Sequence, residues 1–214
     1  MGMGTKLRNF LEEWPRNFIQ DNDLQSVLGV SDDARYSVVK RALKQGLLVR
    51  VRRGLYLISS KTKQILPDEF VLASLIYRPS MVSLESALSY HGWIPEAVYS
   101  TTCVTPKRAQ EFKTSIGIFS YKRVPASSFY SGSRRIETQT GVFLIADPWR
   151  ALADFIYVRR KSWKSLAQLE ADVRIDRDTI KNSDVQLLAE LAHSYPSLCV
   201  RKLLKVFLIE MTKK

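Results

Sequence analysis

Acidic residues are missing from positions 34 to 67, a stretch that holds nine lysines and arginines. Without local counterions, this positive charge is available to a polyanion. The whole chain of 214 residues has a net charge of +12 and a pI near 9.8. Such an excess favours a nucleic-acid partner, although solubility or non-specific adhesion can also follow from it.

Cysteine and histidine are scarce, with two of each in the chain. Cys103 and Cys199 lie far apart, and His91 and His193 complete no Cys-x-x-Cys or His-x-x-x-His spacing. The spacing therefore argues against a zinc site, and we expect neither a metal nor a cofactor. Both cysteines stand among apolar residues, so we expect buried free thiols in a reducing cytoplasm.

Long apolar runs are also lacking. Runs such as Val142–Ala146 are too short to span a bilayer, and the N-terminus has no apolar signal core. We therefore expect a cytoplasmic protein that does not enter a membrane.

Motifs of phosphate and metal chemistry are missing as well. There is no glycine-rich phosphate loop. Gly132-Ser133 is not followed by the Asp-x-Asp with which a nucleotidyltransferase holds Mg²⁺. Asp68-Glu69 lacks the lysine that a metal-dependent nuclease would need, and it fits better as a helix N-terminus. The chain is therefore not expected to be an enzyme.

The basic stretch has the pattern of a helix followed by a hairpin. Ser31 is a predicted N-cap, Ala34–Gln45 has a helical period, and Gly46 ends the helix. Apolar residues then alternate with arginine before an Arg-Arg-Gly turn. A short helix ending at Gly29 precedes this unit. The order predicts a winged helix-turn-helix that binds duplex DNA.

At 100° per residue, the predicted helix has an apolar face formed by Tyr36, Val39 and Leu43. The opposite face is basic and would enter the major groove, where Arg41 suits a guanine contact. The wing arginines would contact phosphate or the minor groove. An ordinary solvated helix face is the alternative interpretation. The predicted DNA-binding residues are Ser37, Lys40, Arg41, Lys44, Arg50, Arg52 and Arg53.

The remainder of the chain predicts a mixed α/β domain whose C-terminal part is mostly helical. The polar stretch Ser59–Gln64 is the predicted linker, so we expect domains at 1–62 and 66–214. Strands are predicted at Ser100–Thr105, Gly117–Arg123 and Val142–Ile145, and Asp147-Pro148 is a helix start. The expected fold class is α+β.

A second basic surface is predicted in the later domain, because residues 101–164 hold twelve basic and four acidic residues. Its alternative role is plain solvation of the domain. The residues concerned are Lys107, Arg108, Lys122, Arg123, Arg134, Arg135, Arg159 and Arg160.

His91 is the obvious candidate for acid–base chemistry. It precedes Gly92 at a predicted helix end, where an imidazole can bond the last carbonyls. No serine, cysteine or aspartate partner is identifiable from the sequence, so we assign it a structural role. We assign Trp93, Trp149 and Trp163 to packing rather than to stacking on bases.

Three segments, in this order, resemble the AbiEi antitoxins of type IV toxin–antitoxin systems, which act in abortive infection and phage defence. The resemblance implies a winged helix that represses its own operon and an α/β domain that counters a toxin. The implied toxin is nucleotidyltransferase-like and forms no stable complex with the antitoxin. The operator is expected to be an inverted repeat. The segments are SVVKRALKQGLLVRVRRGLYLI (Ser37–Ile58), SLESALSYHGW (Ser83–Trp93) and GVFLIADPWRALADFIYVRR (Gly141–Arg160).

Two other functions stay open. One is an RNA-binding or protein-interaction module in which the basic surface of the later domain does the binding. The other, less favoured, is a nuclease.

Overall fold

A computed structural model describes residues 3–59, 68–95 and 99–213, with side chains described from residue 7 onward. Residues 60–64 of the predicted linker and the predicted start of the second domain at residue 66 lie outside these ranges. The described residues form α helices and two β sheets, so the predicted α+β class is confirmed.

The N-terminal part contains three helices and a small sheet. The sheet is antiparallel with the order β1-β3-β2. This arrangement confirms the predicted helix-turn-helix with a following hairpin, whereas the three-residue strand β1 was not predicted. The elements are α1 (Met3–Glu13), β1 (Phe18–Gln20), α2 (Asp21–Leu28), α3 (Asp32–Lys44), β2 (Leu48–Arg52) and β3 (Leu55–Ile58).

Helix α3 begins at Asp32, directly after the predicted N-cap Ser31 and two residues before the segment predicted from the helical period. The side chain of Ser31 accepts a hydrogen bond from the amide of Ala34 at 3.4 Å, as expected of an N-cap. The helix ends at Lys44, and the chain turns at Gly46, whose φ of +68° is readily available to glycine because it has no Cβ.

The small sheet is buried on both faces. Ile19 and Tyr56 belong to a core that also contains the buried residues of α1, α2 and α3. On the other face, Phe18, Leu55 and Leu57 join the large core formed by residues of the later part of the chain. The two parts of the chain therefore share apolar packing through this sheet.

The later part of the chain is built on a six-stranded mixed sheet of order β6-β7-β5-β4-β9-β8. The three predicted strands are confirmed as β5, β7 and β9, and helices cover the sheet and form the C-terminal end. The short strand β4 and the charged edge strands β6 and β8 were not predicted. The elements are α4 (Glu69–Ile76), β4 (Met81–Val82), α5 (Leu84–Tyr90), β5 (Ser100–Thr105), β6 (Gln110–Thr114), β7 (Gly117–Arg123), β8 (Ser133–Thr138), β9 (Gly141–Ala146), α6 (Pro148–Arg159), α7 (Leu166–Val173), α8 (Arg177–Lys181), α9 (Val185–Ser194) and α10 (Leu198–Thr212).

Helix α6 contains a buried ion pair that also bonds to neighbouring segments. Arg150 Nε lies 3.1 Å from Asp154 Oδ1, and the two side chains are 3% and 0% exposed. Asp154 also accepts hydrogen bonds from Ser83 Oγ at 2.8 Å and Tyr195 OH at 2.9 Å. Burial raises the pKa of Asp154, and the guanidinium of Arg150 opposes this shift. The pair connects α6 with the start of α5 and the segment between α9 and α10.

The predicted packing roles of the three tryptophans are confirmed. Trp93 and Trp149 meet edge to face with ring centroids 5.0 Å apart, and both are buried. The ring of Trp163 is stacked on Phe155. The indole N–H of Trp149 donates to Ser183 Oγ at 3.0 Å.

The prediction for the two cysteines is half wrong. Cys103 is a buried free thiol, whereas Cys199 is a free thiol exposed in the first turn of α10. Helix α10 turns Val200, Leu204 and Phe207 to the core, so the apolar neighbours of Cys199 do not bury it.

Across the described ranges, the structure contains no helix long and apolar enough to cross a membrane.

Candidate nucleic-acid interface

The core face of α3 differs from the predicted one. Val38, Val39 and Ala42 are buried, at 3%, 3% and 1% exposure. Tyr36, which was predicted to be in the core, is 64% exposed. Val38 and Ala42 lie one turn apart beside Val39, and this stripe rotates the helix so that Tyr36 faces solvent. Leu43 packs at the margin of the core.

The predicted DNA-reading residues of α3 all face solvent. In the described part of the chain, no carboxylate lies within ion-pair distance of Lys40, Arg41 or Lys44. Arg41 Nε donates to the carbonyl of Ser37 at 3.3 Å, which leaves its terminal amino groups free to contact a ligand. Arg35 is different, because its side chain is only 17% exposed and pairs with Asp32 at 3.2 Å. The exposed face of α3 therefore carries Tyr36, Ser37, Lys40, Arg41 and Lys44.

The register of the hairpin divides the wing arginines between two faces. Arg50 lies opposite Tyr56, whose side chain packs on the helices, whereas Arg52 lies opposite Leu55, whose side chain packs on the later part of the chain. The register shifts between Arg50 and Arg52, and this irregularity changes the face. Arg50 therefore faces α3, and Arg52 faces away from it.

The turn of the wing requires glycine. Gly54 has a φ of +78°, and a Cβ at this position would lie 3.2 Å from a carboxylate oxygen of Asp21. Its carbonyl accepts the amide of Asp21 at 3.1 Å, which fixes the turn to the start of α2. Arg53 precedes this glycine and is exposed at the tip.

A cleft of about 530 Å³ separates α3 from the wing. One wall carries Tyr36 and Val39, and the other carries Arg50, Arg53 and Tyr56. Burial raises the pKa of Tyr56, and the negative charge of Asp21 adds to that shift. The carboxylates in this cleft belong to Asp21, Asp32 and Asp33.

A second groove, of about 460 Å³, lies between the wing and the later part of the chain. Its cationic side chains are those of Arg52, Arg78 and Lys107, and Tyr77 and Phe112 provide aromatic surface. Lys107 Nζ donates to the carbonyl of Arg78 at 2.6 Å and lies 5.8 Å from the centre of the Tyr77 ring. The described residues place no carboxylate within ion-pair distance of these three cations. Arg78 was not among the predicted residues.

The eight residues of the predicted second basic surface lie in three places. Lys107 and Arg108 follow β5, and Lys122 and Arg123 end β7 next to it, so these four lie near each other. Arg134 and Arg135 lie on the edge strand β8 and pair with Asp147 and Glu137. Arg159 and Arg160 stand at the end of α6, where Arg159 pairs with Glu85. Carboxylates thus pair with three of the eight.

Contrary to the prediction, the imidazole of His91 does not bond the last carbonyls of its own helix. Its Nε2 lies 3.0 Å from the carbonyl oxygen of Ala146, at the end of β9. An aspartate neighbour exists after all, because the charge of Asp147 acts on the imidazole. Burial nevertheless lowers the pKa of His91 and favours the neutral ring.

Within the residues the structure describes, no three histidine, cysteine or acidic side chains are grouped to hold a metal ion.

Comparison with known proteins bears on the first of these surfaces. No curated protein matches the chain. The family model of the transcriptional regulators described as AbiEi antitoxins matches residues 11–59. This range runs from the end of α1 through α3 to the last residue of the hairpin, and so includes the whole α3 face and the wing. The match confirms the resemblance noted in the sequence: residues 11–59 are similar to the AbiEi antitoxin family of transcriptional regulators.

Proposed function

We propose that the protein is a cytoplasmic repressor that binds the operator of its own operon and serves as the antitoxin of a type IV pair. One observation carries the proposal: the family-matched segment presents Lys40, Arg41 and Lys44 on one helix face without paired carboxylates. Across the cleft, Arg50 and Arg53 extend the same positive charge. A basic helix beside a basic wing matches the polyanionic surface of duplex DNA.

Each side chain has a distinct role in this proposal. Ser37, Lys40 and Arg41 enter the major groove, where Arg41 forms a bidentate contact with a guanine. Lys44 and the wing arginines contact phosphates, which fix the position of the protein on the duplex without reading its sequence. Arg52 differs from Arg50 and Arg53, because it faces the second groove and reaches backbone flanking the site. The operator would be an inverted repeat that binds two copies of the protein.

The later part of the chain would counter the toxin, a nucleotidyltransferase-like protein encoded alongside, without forming a stable complex. The description of the matched family as antitoxins supports an antitoxin role for the protein, and the basic residues after position 59 give the later part of the chain charge with which to perform it. Such a system would protect bacteria against phage by abortive infection.

A paired assay in cells separates the two activities. The full chain is tested for repression of a reporter behind the DNA upstream of its own gene, and for rescue of cells that express the neighbouring toxin gene. Replacing Lys40 and Arg41 with alanine should abolish repression and preserve rescue. Lys205→Ala is the matched control, since Lys205 is exposed on α10. Repression by the double variant at the wild-type level would refute DNA binding through α3.

A second candidate, the binding of RNA, is supported by one feature of the second groove. Arg52, Arg78 and Lys107 share this groove with Tyr77 and Phe112, and basic grooves with aromatic rings bind unpaired bases by stacking. Competition between the upstream duplex and a structured RNA of equal length distinguishes the candidates. Tighter binding of the RNA at every salt concentration would favour this alternative.

A further inference from the structure

Tyr36 is an exposed aromatic side chain on the helix that the proposed function places in the major groove. It is 64% exposed, precedes Ser37, and lies one turn before Lys40 on the same face. It lines the cleft that Arg50 and Arg53 border from the wing. We infer that Tyr36 is a specificity-determining residue that contacts the methyl group of a thymine. The inference rests on the proposed function and adds a base preference to it.

The carboxylates in the first turn of α3 disfavour a phosphate beside Tyr36, whereas Arg50 and Arg53 on the opposite wall of the cleft can contact phosphate. Asp32 and Asp33 occupy the first turn of α3, and Asp21 stands in the same cleft. These carboxylates repel phosphate oxygens, and Arg35 pairs with only one of them, Asp32. The N-terminal half of a recognition helix is also the part that contacts base edges in helix-turn-helix complexes.

The chemistry of the ring selects the base. The C5 methyl of thymine is the one alkyl group displayed in the major groove, where the nitrogen and oxygen positions of the bases are hydrogen-bond donors or acceptors. The tyrosine ring can cover a methyl group and remove it from water, which stabilises the complex in proportion to the area buried. The hydroxyl stays at the wet end of the ring. Thymine is therefore the partner that Tyr36 recognises.

A uracil scan of the bound site tests this assignment. The wild-type full chain first selects duplexes from a random-sequence pool, and each thymine of the recovered site is then replaced by uracil, which lacks the methyl. Wild-type protein should lose affinity about fourfold at one position in each half-site, the loss expected for one methyl group. Tyr36→Ala should bind the thymine site more weakly and should show no loss on uracil substitution at that position. Tyr36→Phe, which retains the ring, should behave as wild type.

Tyr130→Ala is the matched control, because Tyr130 is 60% exposed and lies outside the winged helix, between β7 and β8. Failure of the wild-type chain to enrich any site would refute the proposed function itself. If a site is recovered but Tyr36→Ala keeps the wild-type uracil profile, only the role of Tyr36 is wrong. Equal weakening of Tyr36→Ala on all sequences would likewise overturn base recognition and leave a non-specific contact.

Discussion

In the proposed DNA complex, we expect Arg41 to contribute more sequence discrimination than any other charged residue of α3. Its guanidinium offers a planar pair of donors that matches the O6 and N7 acceptors of guanine. Arg41→Ala should therefore cost roughly 1–3 kcal/mol on the specific site and relax the preference at one base position. Non-specific duplex should lose less. Fluorescence anisotropy with both duplexes checks this, and equal losses on the two would reduce Arg41 to a backbone contact.

His91 gives a pH dependence to stability. Burial holds its pKa in the folded chain below the ordinary 6.5, with Asp147 and Arg134 also acting on the ring. Below pH 6.5 the unfolded chain binds the proton more readily, so stability is lost as the pH falls through this window. His91→Gln should flatten that part of the profile. Urea unfolding of both proteins at pH 7.5 and pH 5.5 measures it, and an identical pH dependence would show that the imidazole is not responsible.

The burial of some single residues could be predicted from the sequence, and that of others could not. The charged positions of α3 were predictable because any helical period puts Lys40 and Lys44 on one side. The exposure of Tyr36 was not predictable, because a tyrosine fits either a core face or an exposed face of a helix. Only the packing of Val38 against the sheet decides that question. Cys199 was misplaced for the same reason, because its burial depends on the rotation of α10.

At the scale of elements, the hairpin makes separate predictions for its two faces. Arg53→Ala should lower the slope of log affinity against log salt by about 0.9, the value for one lost phosphate contact. Arg52→Ala should do the same on a long duplex and have no effect on one trimmed to the half-sites, because Arg52 faces the second groove. Binding titrations over a salt series measure both slopes. An unchanged slope for Arg53→Ala would remove the wing tip from the interface.

Helix α6 is held by its buried ion pair. Asp154→Ala leaves Arg150 charged without its carboxylate partner, at 3% exposure, and also leaves the hydroxyl of Tyr195 without its acceptor. Breaking such a pair costs about 3–5 kcal/mol. Denaturant unfolding of the full chain gives the value. A loss under about 1 kcal/mol, the range of exposed pairs, would show that water reaches the pair.

The helices and strands that could be predicted from the sequence are those with a strong local residue pattern. Gly117–Arg123 and the helix after Asp147-Pro148 carry β-branched, aromatic or capping signals of their own. Strand β4 has two residues and exists because it pairs with β5 and β9. Strand β8 contains three charged residues and a single apolar one at a sheet edge, where charge is tolerated, and so lacked an apolar signal. Such strands depend on long-range pairing, which a local pattern does not contain.

For the whole molecule, the shared core couples the N-terminal helices and their small sheet to the rest of the chain. Phe18, Leu55 and Leu57 would be exposed to water if the later part were removed. We therefore expect a single unfolding transition. In a Trp14→Phe variant, tryptophan fluorescence reports on the later part alone, while circular dichroism reports on all helices. Coincident midpoints are expected, and two separate midpoints would show that the domains unfold independently.

The domain boundary predicted from composition stays a prediction, because residues 60–67 lie outside the described ranges. Composition also exposed the basic character of the winged helix, since the relevant residues are consecutive in the chain. It did not reveal the second groove. Arg52, Arg78 and Lys107 meet there only because the small N-terminal sheet packs on the later part of the chain.

Affinity for the upstream duplex, measured over a salt series against a scrambled duplex of equal length, tests the central claim most directly. The full chain should bind the upstream duplex at least about 1,000-fold more tightly, in the range of specific protein–DNA complexes. Log affinity should fall linearly with log salt on both duplexes, because phosphate contacts contribute to each. Equal affinity for the two duplexes throughout the series would contradict sequence-specific DNA binding by this protein.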